Sequence, residues 1–599
     1  MTRMIRAHYL AKLAPQPTDK HQLSAVDFIN PKTTADSPAP VYEGPGTEGD
    51  LVEVRVGGGV ARPWDPAHPI TALADSALAQ MYAIAADHHM DPIFGPEVHA
   101  EVEAILADPG FDAPELRDLR SQAFLTIDNR DSRDLDQAMF IARDEGGFRV
   151  RYALADASYY MRPGSALFHA ALSRGVTYYF PGFCVPMLPR PLSEDLVSLN
   201  PEVDRRALIF DMVLDASGEV LRTEVYRALI RSRAKLSYPG VQALHDHWDA
   251  GASQTHALDG HDYTETLTLL RTVGELRMNL AFERDVVRYR RRELLVHAGP
   301  EGTAFTLVEA DRNDVERWNE QISLLCNAQG AQMLVDAGSQ PNLQAIFRVH
   351  EPPHHRRVKA LARGIRNLIA ARDLDPELWS WRREQGESLA QFLDRLPREG
   401  DQGRRAKAIQ RLALVINNRS EFSERAGAHH GVGADAYARF SSPMRELVGV
   451  FTHKEAVELL TGQAGAPAGP HDEALQTQII ELANRSKRRQ SRVTKEANKV
   501  AITAVLEPLL GRPLADRPDF EGTLMGVSPT QAYVQLDAVP IELKVYFSDL
   551  DDHGGRPKPT DDEVGLELPG GERLVLGDAV YLSLLDRRRG RFVLRVRPR

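Results

Sequence analysis

The sequence predicts an α+β protein made of several domains. Its 599 residues are too many for a single core, because compact domains usually hold ~100–200 residues. Strand-like patterns dominate from about 113 to 240 and again over the last 83 residues, 517–599, whereas residues from about 262 to 510 are mostly helix-like. These changes of pattern divide the chain into three predicted units, 1–112, 113–512 and 517–599.

Residues 1–112 predict a small α/β unit. The apolar run LVEVRV at 51–56 is flanked by the glycine-rich segments GTEG and VGGGV, which is typical of a strand between turns. Apolar residues then recur at spacings of three and four in 70–89 and 95–108, which predicts two helices. We expect a winged helix or another small α/β domain.

The last 83 residues predict a small β-barrel. Five short strand-like runs occur between 520 and 597, namely FEGTLMGV, QAYVQLD, IELKVYF, AVYLSLLD and RFVLRVR. Turn residues separate them, as expected for a closed all-β unit. Among five-stranded barrels the OB-fold is the common solution for binding nucleic acid, so we expect one here.

Composition excludes several classes of protein. Only two cysteines are present, Cys184 and Cys326, which excludes a disulfide scaffold and a cysteine-rich zinc site and is typical of a reducing compartment. No run of ~18 apolar residues occurs, so we expect no membrane-spanning helix and a cytoplasmic protein. The net charge of −11 taken alone argues against a nucleic-acid partner, but net charge does not describe a local groove.

An aspartate cluster carries the strongest chemical signal. The segment TIDNRDSRDLDQA, residues 126–138, holds Asp128, Asp131, Asp134 and Asp136. Asp128 closes the apolar run AFLTI, and Asp134 and Asp136 are two positions apart, so that in an extended segment they face the same side. Carboxylates so close together repel one another unless a cation or a proton intervenes. Mg²⁺ prefers such oxygen ligands together with substrate phosphates.

Two interpretations of this cluster stay open on the residues alone. A solvated acidic turn is the commoner structure for an Asp-rich loop, whereas the apolar runs on both sides of 126–138 favour a buried site. Two Mg²⁺ ions ~3.5–4 Å apart would stabilise the attacking water and the leaving oxygen of an in-line phosphoryl displacement.

Three long segments resemble the signature of the ribonuclease II / ribonuclease R family, whose catalytic unit is the RNB domain. They are TIDNRDSRDLDQA (126–138), LADASYYMRPGSALFHAALSRGVTYYFPGFCVPMLPRPLSEDLVSLNP (154–201) and HHGVGADAYARFSSPMRELVGVFTHK (429–454). The similarity covers about 120–500, and the tail resembles an OB-fold of the S1 type. The resemblance implies an RNB catalytic domain with a mixed β core surrounded by helices. It also implies a 3′→5′ exoribonuclease that hydrolyses single-stranded RNA to 5′-mononucleotides with two Mg²⁺ ions, or with Mn²⁺ in their place.

The resemblance further implies roles for individual residues. Metal-binding positions are matched by Asp128, Asp134, Asp136 and Gln137, and catalytic positions by Asp134, Asp136, Tyr179, Arg445 and Glu496. Arg445 would contact the phosphate near the scissile bond, since a guanidinium binds phosphate oxygens bidentately. Glu496 and Tyr179 would lie at the 3′-terminal nucleotide. Tyr238 and Glu320 would contact the ribose, whose 2′-hydroxyl a phenol and a carboxylate can detect.

The chain departs from the family pattern beside two of these residues. Gln137 stands where the family usually has a carboxylate that touches a metal, so the affinity for one ion should fall, although Asp131 could compensate. Downstream of Arg445 the family commonly shows another arginine, a tyrosine and an aspartate, whereas this chain has Glu446, Leu447 and Gly449. The first departure bears on metal binding, and the second has no evident role in the sequence.

Other residues keep two interpretations. Asp156 and His430 match family positions, but a buried turn-stabilising aspartate and a structural hydrogen-bonding histidine account for them equally well. Tyr289 and Phe282 are candidates for the second aromatic that stacks on a base.

Basic residues are concentrated in a few segments. RSKRRQSRVTK, 485–495, contributes Arg485, Lys487, Arg488, Arg489, Arg492 and Lys495, and further basic clusters occupy 286–293 and 354–366. A charge run is usually a solvated face, but against a net charge of −11 this concentration favours a channel wall. We therefore predict that Arg485, Arg488 and Arg492 bind RNA phosphates.

Three functions remain open at this point. The resemblance favours an exoribonuclease, which we expect to act as a monomer on single-stranded RNA. A catalytically weakened RNA-binding regulator on the same scaffold is favoured by Gln137 and opposed by the retention of Asp136, Arg445 and Tyr179. An endonuclease or DNA-processing phosphodiesterase would use the same kind of aspartate cluster.

Overall fold

The computed structural model of this protein describes most of the chain. The described residues are 7–16, 22–26, 40–57, 59–63, 77–90, 94–251, 254–289, 293–298, 305–338, 343–462 and 470–599. Two predicted features lie partly outside them, namely 70–76 of the first predicted helix and 290–292 of one basic cluster.

The N-terminal unit begins with a five-stranded barrel. Its strands are β1 (Ala7–Pro15), β2 (Leu23–Val26), β3 (Val41–Tyr42), β4 (Leu51–Gly57) and β5 (Val60–Pro63). The strand order is β1-β2-β3-β5-β4, antiparallel pairing of β4 with β1 closes the barrel, and β3 and β5 run parallel. This is the Greek-key arrangement of an OB-fold. Its interior holds the buried side chains Ala11, Leu13, Tyr42, Val52, Val54 and Ala61.

The winged-helix form expected for this unit is therefore wrong. The strand predicted at 51–56 is confirmed as β4, but it belongs to a barrel that precedes the helices. Strands β2, β3 and β5 have only two to four residues, which is too short to show the period-two alternation that reveals a strand in a sequence. The two predicted helices follow the barrel as α1 (Ala77–Asp87) and α2 (Pro96–Ala107).

The central unit is built on a seven-stranded mixed sheet. In chain order its first elements are β6 (Arg117–Asp118), β7 (Leu125–Asp128), β8 (Gln137–Asp144), β9 (Gly147–Ala155), α3 (Ala157–Tyr160), α4 (Ala166–Arg174), β10 (Tyr178–Phe180), β11 (Phe183–Val185), a π-helical turn (Pro191–Leu196), β12 (Asp204–Asp215), β13 (Val220–Arg231), β14 (Ala234–Ser237) and α5 (Tyr238–Asp249). The sheet order is β14-β7-β8-β9-β12-β13-β6, with parallel pairing at β14–β7 and β13–β6. Strands β10 and β11 form a separate hairpin.

Hydrophobic cores cover both faces of this sheet. Tyr152 and Phe210 pack in one core, while their chain neighbours Ala153 and Ile209 pack in the other. Side chains of successive strand residues point to opposite faces, so strands with consecutive apolar residues, as at 152–155 in β9 and 207–210 in β12, must be covered on both faces. The sheet is therefore an internal layer, as expected for a mixed β core surrounded by helices.

The helical part of the central unit follows. Its elements are α6 (Thr264–Glu283), β15 (Glu293–Ala298), β16 (Phe305–Ala310), α7 (Asp314–Asp336), β17 (Phe347–Val349), α8 (His355–Arg372), α9 (Pro376–Trp379), a 3₁₀ turn (Arg383–Gln385), α10 (Leu389–Arg395), α11 (Gly400–Val415), β18 (Glu421–Ser423), α12 (Leu447–Leu460) and α13 (Pro470–Leu510). None of the helices described here combines the length and apolar character that crossing a bilayer requires.

The C-terminal unit contains the five strands that the sequence predicts. Its elements are a 3₁₀ turn (Leu514–Asp516), β19 (Asp519–Ser528), β20 (Gln531–Leu536), β21 (Glu542–Tyr546), 3₁₀ turns at Phe547–Asp549 and Asp551–His553, β22 (Lys558–Pro559), β23 (Gly565–Glu567), β24 (Arg573–Val575), β25 (Ala579–Arg588) and β26 (Arg591–Pro598). The predicted strands pair in the order β21-β20-β19-β25-β26, and β22–β24 form a small separate sheet. The main sheet has the strand order of an OB-fold.

The C-terminal unit packs tightly on helices of the central unit. Leu361 of α8, Phe392 of α10 and Ile409 of α11 share one hydrophobic core with Leu524 of β19 and Val580 of β25. Because apolar side chains from both units form this core, burial of apolar surface holds the two units together.

A buried ion network joins the segment between α2 and β6 to the central sheet. Asp156 is fully buried, and its Oδ2 lies 3.4 Å from Nε of Arg206 and 2.9 Å from Nε of Arg227. The guanidinium of Arg206 also donates to the carbonyl of Gly110 and pairs with Glu115. Of the two roles that the sequence left open for Asp156, these contacts support the structural one.

We predict that Arg206→Met lowers the free energy of unfolding by about 3 kcal/mol, because removing one partner leaves buried Asp156 less compensated. Urea denaturation followed by circular dichroism measures the change. Arg363→Gln is the control, since the Arg363–Glu563 pair is exposed on both sides and should cost less than about 0.5 kcal/mol. Equal losses in both variants would contradict the assigned role of the network.

Candidate active site

The loop that carries the aspartate cluster connects two neighbouring strands of the central sheet. Asp128 is the last residue of β7, Asp136 directly precedes β8, and the two strands are antiparallel neighbours. Between them Leu135 is buried, and its N–H donates to Oγ of Ser198 at 2.9 Å. This contact holds the loop against the sheet at Leu135. It therefore also fixes the backbone of Asp134 and Asp136, the residues before and after Leu135.

Asp136 is a buried carboxylate held by the segment before α12. Its side chain is 5% exposed, its Oδ1 accepts from the Met444 N–H at 2.9 Å, and its Oδ2 lies 3.2 Å from Nε of Arg445. Burial raises the pKa of Asp136 to about 7, with Arg445 and the Met444 amide opposing the rise and the charges of Asp134 and Asp128 adding to it. The structure thus brings Arg445 and the three aspartates into one electrostatic neighbourhood.

Tyr179 reaches the same neighbourhood from the β10–β11 hairpin. Its hydroxyl donates to Oδ2 of Asp134 at 2.9 Å. The residue is 52% exposed, so its ring faces solvent while its hydroxyl stays on Asp134. An exposed ring tethered at its hydroxyl is available to contact a bound ligand beside Asp134.

Asp128 lies on the other side of the loop, close to Tyr238. Its Oδ1 accepts from the Asn129 N–H at 2.7 Å and from the Ser132 hydroxyl at 2.8 Å, which closes the turn. Tyr238, the first residue of α5, accepts a hydrogen bond from Nδ2 of Asn319 at 3.1 Å. Burial raises the pKa of Tyr238 to about 12, and the charge of Asp128 adds to the rise. The phenol therefore keeps its proton near neutral pH and can donate it to a ligand.

The aspartates do not form a closed metal site by themselves. Within the part of the chain that the structure describes, no group of three or more His, Cys, Asp or Glu side chains is close enough to hold a metal ion. Mg²⁺, however, is commonly bound by one or two carboxylates and completed by substrate phosphates and water. Asp128, Asp134 and Asp136 supply hard oxygen donors of that kind, so their chemistry fits an ion shared with a phosphate.

The contacts of Gln137 differ from those expected of a metal ligand. Its Oε1 accepts from the hydroxyl of Tyr152, and its Nε2 donates to the carbonyl of Ser441. Both polar atoms of the amide are therefore engaged by protein partners. The structure places Gln137 in a hydrogen-bond network next to the aspartates, where it ties β8 to the segment that carries Arg445.

Glu446 is a residue whose role the sequence does not reveal. It is buried, its carboxylate accepts from Arg439 at 3.1 and 3.3 Å, and Nζ of Lys487 donates to it at 2.8 Å. Burial alone would raise the pKa of Glu446, but the charges of Arg439 and Lys487 hold it well below its usual range. The only hint in the sequence is a carboxylate within the otherwise apolar run that follows Arg445.

Two predicted site residues contact other partners. Oε2 of Glu496 lies 2.7 Å from Nε2 of His88, which follows α1. Oε2 of Glu320 lies 3.1 Å from a guanidinium nitrogen of Arg312. The roles of Glu496 and Glu320 at the RNA terminus and ribose therefore stay predictions.

The basic segment of α13 is divided between two faces. Arg485, Arg488, Arg492 and Lys495 are exposed and follow one another at helical spacings of three and four. Lys487 instead pairs with Glu446, and the guanidinium of Arg489 lies 5.3 Å from the centre of the Tyr178 ring. Lys487 therefore does not belong to the expected wall of six basic residues, because one face of α13 packs on the protein, whereas the roles of the other five stay predictions.

The remaining candidates have mainly structural contacts. The Tyr289 hydroxyl accepts from Asn417 at 2.7 Å and donates to the Ala413 carbonyl at 3.3 Å, and its ring packs on the C-terminal core. These contacts do not favour base stacking. The backbone N–H of His430 donates to the carbonyl of His350 at 2.9 Å, a contact that any residue could make, so the role of the His430 imidazole stays a prediction.

Comparison with known proteins identifies the central unit. The model of the RNB domain family matches residues 116–462. The chain is 28% identical to ribonuclease R of Vibrio parahaemolyticus over 84% of this chain and 58% of the relative. It is 26% identical to ribonuclease R of Escherichia coli K12 over 78% and 55%, and 29% identical to exoribonuclease 2 of Enterobacter sp. strain 638 over 67% and 58%. The chain thus spans little more than half the length of these relatives.

Solved structures show the same fold. Ribonuclease R of Mycoplasma genitalium, in complex with ribose-methylated single-stranded RNA, superposes with a TM-score of 0.74 at 17% identity, over 98% of this chain and 89% of that one. Yeast Ssd1, a pseudonuclease, superposes with a TM-score of 0.57 at 13% identity, over 95% of this chain and 68% of that one. The fold therefore does not decide whether a chain is catalytic, and the side chains of the site must.

We predict that Gln137→Asp lowers the free energy of unfolding by about 1–3 kcal/mol, because a carboxylate cannot donate to the buried Ser441 carbonyl and would add repulsion beside Asp136. Thermal and urea denaturation measure the loss. Arg425→Asp, at an exposed arginine, is the control and should change stability by less than about 0.5 kcal/mol. A Gln137→Asp variant of unchanged stability would contradict the hydrogen-bonding role assigned to Gln137.

Proposed function

Because this chain belongs to the RNB domain family, we propose that it is a 3′→5′ exoribonuclease that hydrolyses single-stranded RNA to 5′-mononucleotides. The observation that carries the proposal is the buried Asp136 carboxylate, held between the Met444 amide and the Arg445 guanidinium. Unlike the buried and arginine-paired Asp156, Asp136 also lies near two further carboxylates, Asp134 and Asp128, whose charges add to the rise of its pKa, and a buried carboxylate with a raised pKa in such a cluster is a candidate for a functional site.

The site would hold Mg²⁺ through Asp128, Asp134 and Asp136, with Mn²⁺ as an alternative ion. When bound, two such ions would stabilise the attacking and leaving oxygens of an in-line displacement at the terminal phosphodiester. Gln137 is left out of this set, because its amide already bonds to Tyr152 and Ser441.

The protein's own residues would bind and orient the RNA end. Arg445 is 42% exposed, so its guanidinium fork can bind the scissile phosphate while Nε stays beside Asp136. Tyr179 would hold the terminal nucleotide against the aspartates. Tyr238 and Glu320 would contact the ribose, where the protonated phenol donates to the 2′-hydroxyl.

The rest of the chain would guide RNA to this site. Residues 113–512 form the proposed catalytic unit, while 1–112 and 517–599 carry the two OB-type units, a fold that commonly binds nucleic acid. The exposed face of α13 with Arg485, Arg488 and Arg492 would contact backbone phosphates. Contacts to the backbone do not distinguish bases, so we expect little sequence preference.

A catalytically weakened RNA-binding regulator is the second candidate, since Gln137 replaces a carboxylate of the family pattern. An assay with 5′-labelled RNA, resolved at single-nucleotide length with Mg²⁺ or EDTA, separates the two. A Mg²⁺-dependent ladder that shortens only from the 3′ end, with DNA resistant, supports the exoribonuclease. Binding without release of nucleotides supports the regulator, and internal cuts support an endonuclease.

We predict that Asp136→Asn reduces the rate of nucleotide release at saturating RNA by more than about 10³-fold, because the neutral amide removes a negative charge that would hold Mg²⁺ at the reacting phosphate. RNA binding measured by fluorescence anisotropy should change by less than about threefold, since the contacts along the strand remain. Turnover close to that of the unchanged protein would remove Asp136 from catalysis.

We predict that replacing Arg485, Arg488 and Arg492 together with glutamine weakens RNA binding and lowers its salt dependence. Removing the cation from one phosphate should reduce the slope of log K against log salt by about 0.7, so the triple variant should reduce it by about 2. Anisotropy titrations across a salt series measure the slope. The matched control replaces Arg383, Arg398 and Arg425, which are also exposed; equal slopes for the two triple variants would contradict the assigned face.

A further inference from the structure

We propose that Glu446 is a positioning residue that fixes Arg445 and Tyr179 relative to each other and to the aspartates. The inference rests on the proposed function, because it assigns Arg445 and Tyr179 to the RNA end. Glu446 touches neither a reacting group nor the RNA in this assignment, and it acts through the backbone that carries the two residues.

A short antiparallel bridge connects the segments of Arg445 and Tyr179. Val176 pairs with Glu446 across this bridge. The N–H of Thr177 donates to the Arg445 carbonyl at 3.0 Å, and the N–H of Leu447 donates to the Gly175 carbonyl at 2.9 Å. Tyr179 follows two residues after Thr177, at the start of the β10–β11 hairpin. The bridge at Glu446 therefore fixes the position of the Arg445 backbone relative to the segment that leads to Tyr179.

The Glu446 side chain anchors this bridge inside the protein. It is 5% exposed, accepts from the fork of Arg439 and accepts from Nζ of Lys487 at 2.8 Å. A two-residue bridge has too few hydrogen bonds to be stable alone, so buried ionic contacts at its centre must contribute much of its order. Arg439 precedes the bridge in the chain and Lys487 lies on α13, so Glu446 is held from two directions.

Helix α13 makes a second contact with the same bridge. Nε2 of Gln490 donates to the Thr177 carbonyl at 3.1 Å, one helical turn from Lys487. The inner face of α13 therefore holds the bridge, while its outer face exposes Arg488 and Arg492. Binding residues and positioning residues occupy opposite faces of one rigid element, so the two functions can be separated by mutation.

The chemical reason for such an anchor is the geometry that Arg445 needs. A guanidinium must keep its orientation to bind a phosphate bidentately, and displacement of a reacting group by about 1 Å can cost about 10²-fold in rate. Arg445 is 42% exposed, so packing around its own side chain is incomplete. Its orientation therefore depends on two constraints, the ion pair of its Nε with Asp136 and the position of its backbone, which the bridge fixes.

The test compares Glu446→Gln with the unchanged protein. We expect the maximal rate of nucleotide release to fall about 10- to 100-fold, while KM changes less than about threefold because α13's outer face is intact. Glu387→Gln is the matched control, since Glu387 is another largely buried carboxylate paired with an arginine, Arg395, away from the site. It should lower thermal stability and leave the maximal rate unchanged.

A double-mutant cycle distinguishes positioning from general destabilisation. If Glu446 acts through Arg445, Glu446→Gln should cost less than about threefold in an Arg445→Lys background, where the fork is already absent. An equal cost in both backgrounds, measured well below the melting temperature, would overturn the proposal. So would a normal maximal rate for Glu446→Gln.

If Glu446→Gln does not fold, Lys487→Met is the second test variant. The Lys487→Met substitution removes one cation next to Glu446 and leaves the Arg439–Glu446 pair in place. We expect a fall of about 3- to 10-fold in the maximal rate with KM little changed, and no fall would overturn the proposal. Failure of the proposed function looks different: the unchanged protein itself would release no nucleotides. Activity of the unchanged protein together with a fully active Glu446→Gln or Lys487→Met would reject the inference alone.

Discussion

The burial of Asp136 is the constraint on which the site depends. A carboxylate removed from water is destabilising unless donors and cations compensate its charge. Here the compensation comes from the Met444 amide, 308 positions along the chain, and from the neighbouring Arg445 guanidinium. The β7–β8 loop and the segment before α12 must therefore meet for either to be stable. Once they meet, Asp134, Tyr179 and Arg445 are brought to the same place.

The distribution of charge explains how an acidic chain can offer a basic surface. The net charge is −11, yet α13 exposes a line of arginines and a lysine on one face. Its opposite face uses Lys487 to compensate Glu446. One helix therefore supplies cations both to a buried structural pair and to the surface. Only the local arrangement, not the total charge, bears on RNA binding.

Much of the architecture follows from local patterns in the sequence. The five C-terminal strands and the α1 and α2 helices are long enough to show their periodicity, and the sequence predicts all of them. It does not predict the N-terminal barrel, because three of the barrel strands have at most four residues and closure depends on pairing between distant segments. Strand length, rather than composition, sets this limit.

The site shows the same division between local and distant information. Asp128, Asp134 and Asp136 lie within nine positions of one loop, so the sequence predicts that they are close together. The contact between Glu496 and His88 joins positions 408 apart, and the partners of Lys487 and Gln137 lie on other elements. No spacing rule within a segment can reveal such partners. Side chains that face inward from a basic run, such as Lys487, look identical in sequence to those that face outward.

Gln137 and Glu446, two of the residues at which the sequence departs from the expected family pattern, contact the same segment. Gln137 lacks the charge of a carboxylate, but its amide donates to the Ser441 carbonyl, which a carboxylate could not do. Glu446 puts an anion where the family commonly has a cation, and that anion pairs with Arg439 and Lys487. Ser441 and Glu446 bracket Met444 and Arg445, the two residues that hold Asp136. The backbone segment that holds Asp136 is thus anchored on both sides, at Ser441 by Gln137 and at Glu446 by Arg439 and Lys487. Because Gln137 is neutral, it adds nothing to the repulsion that Asp136 experiences from Asp134 and Asp128.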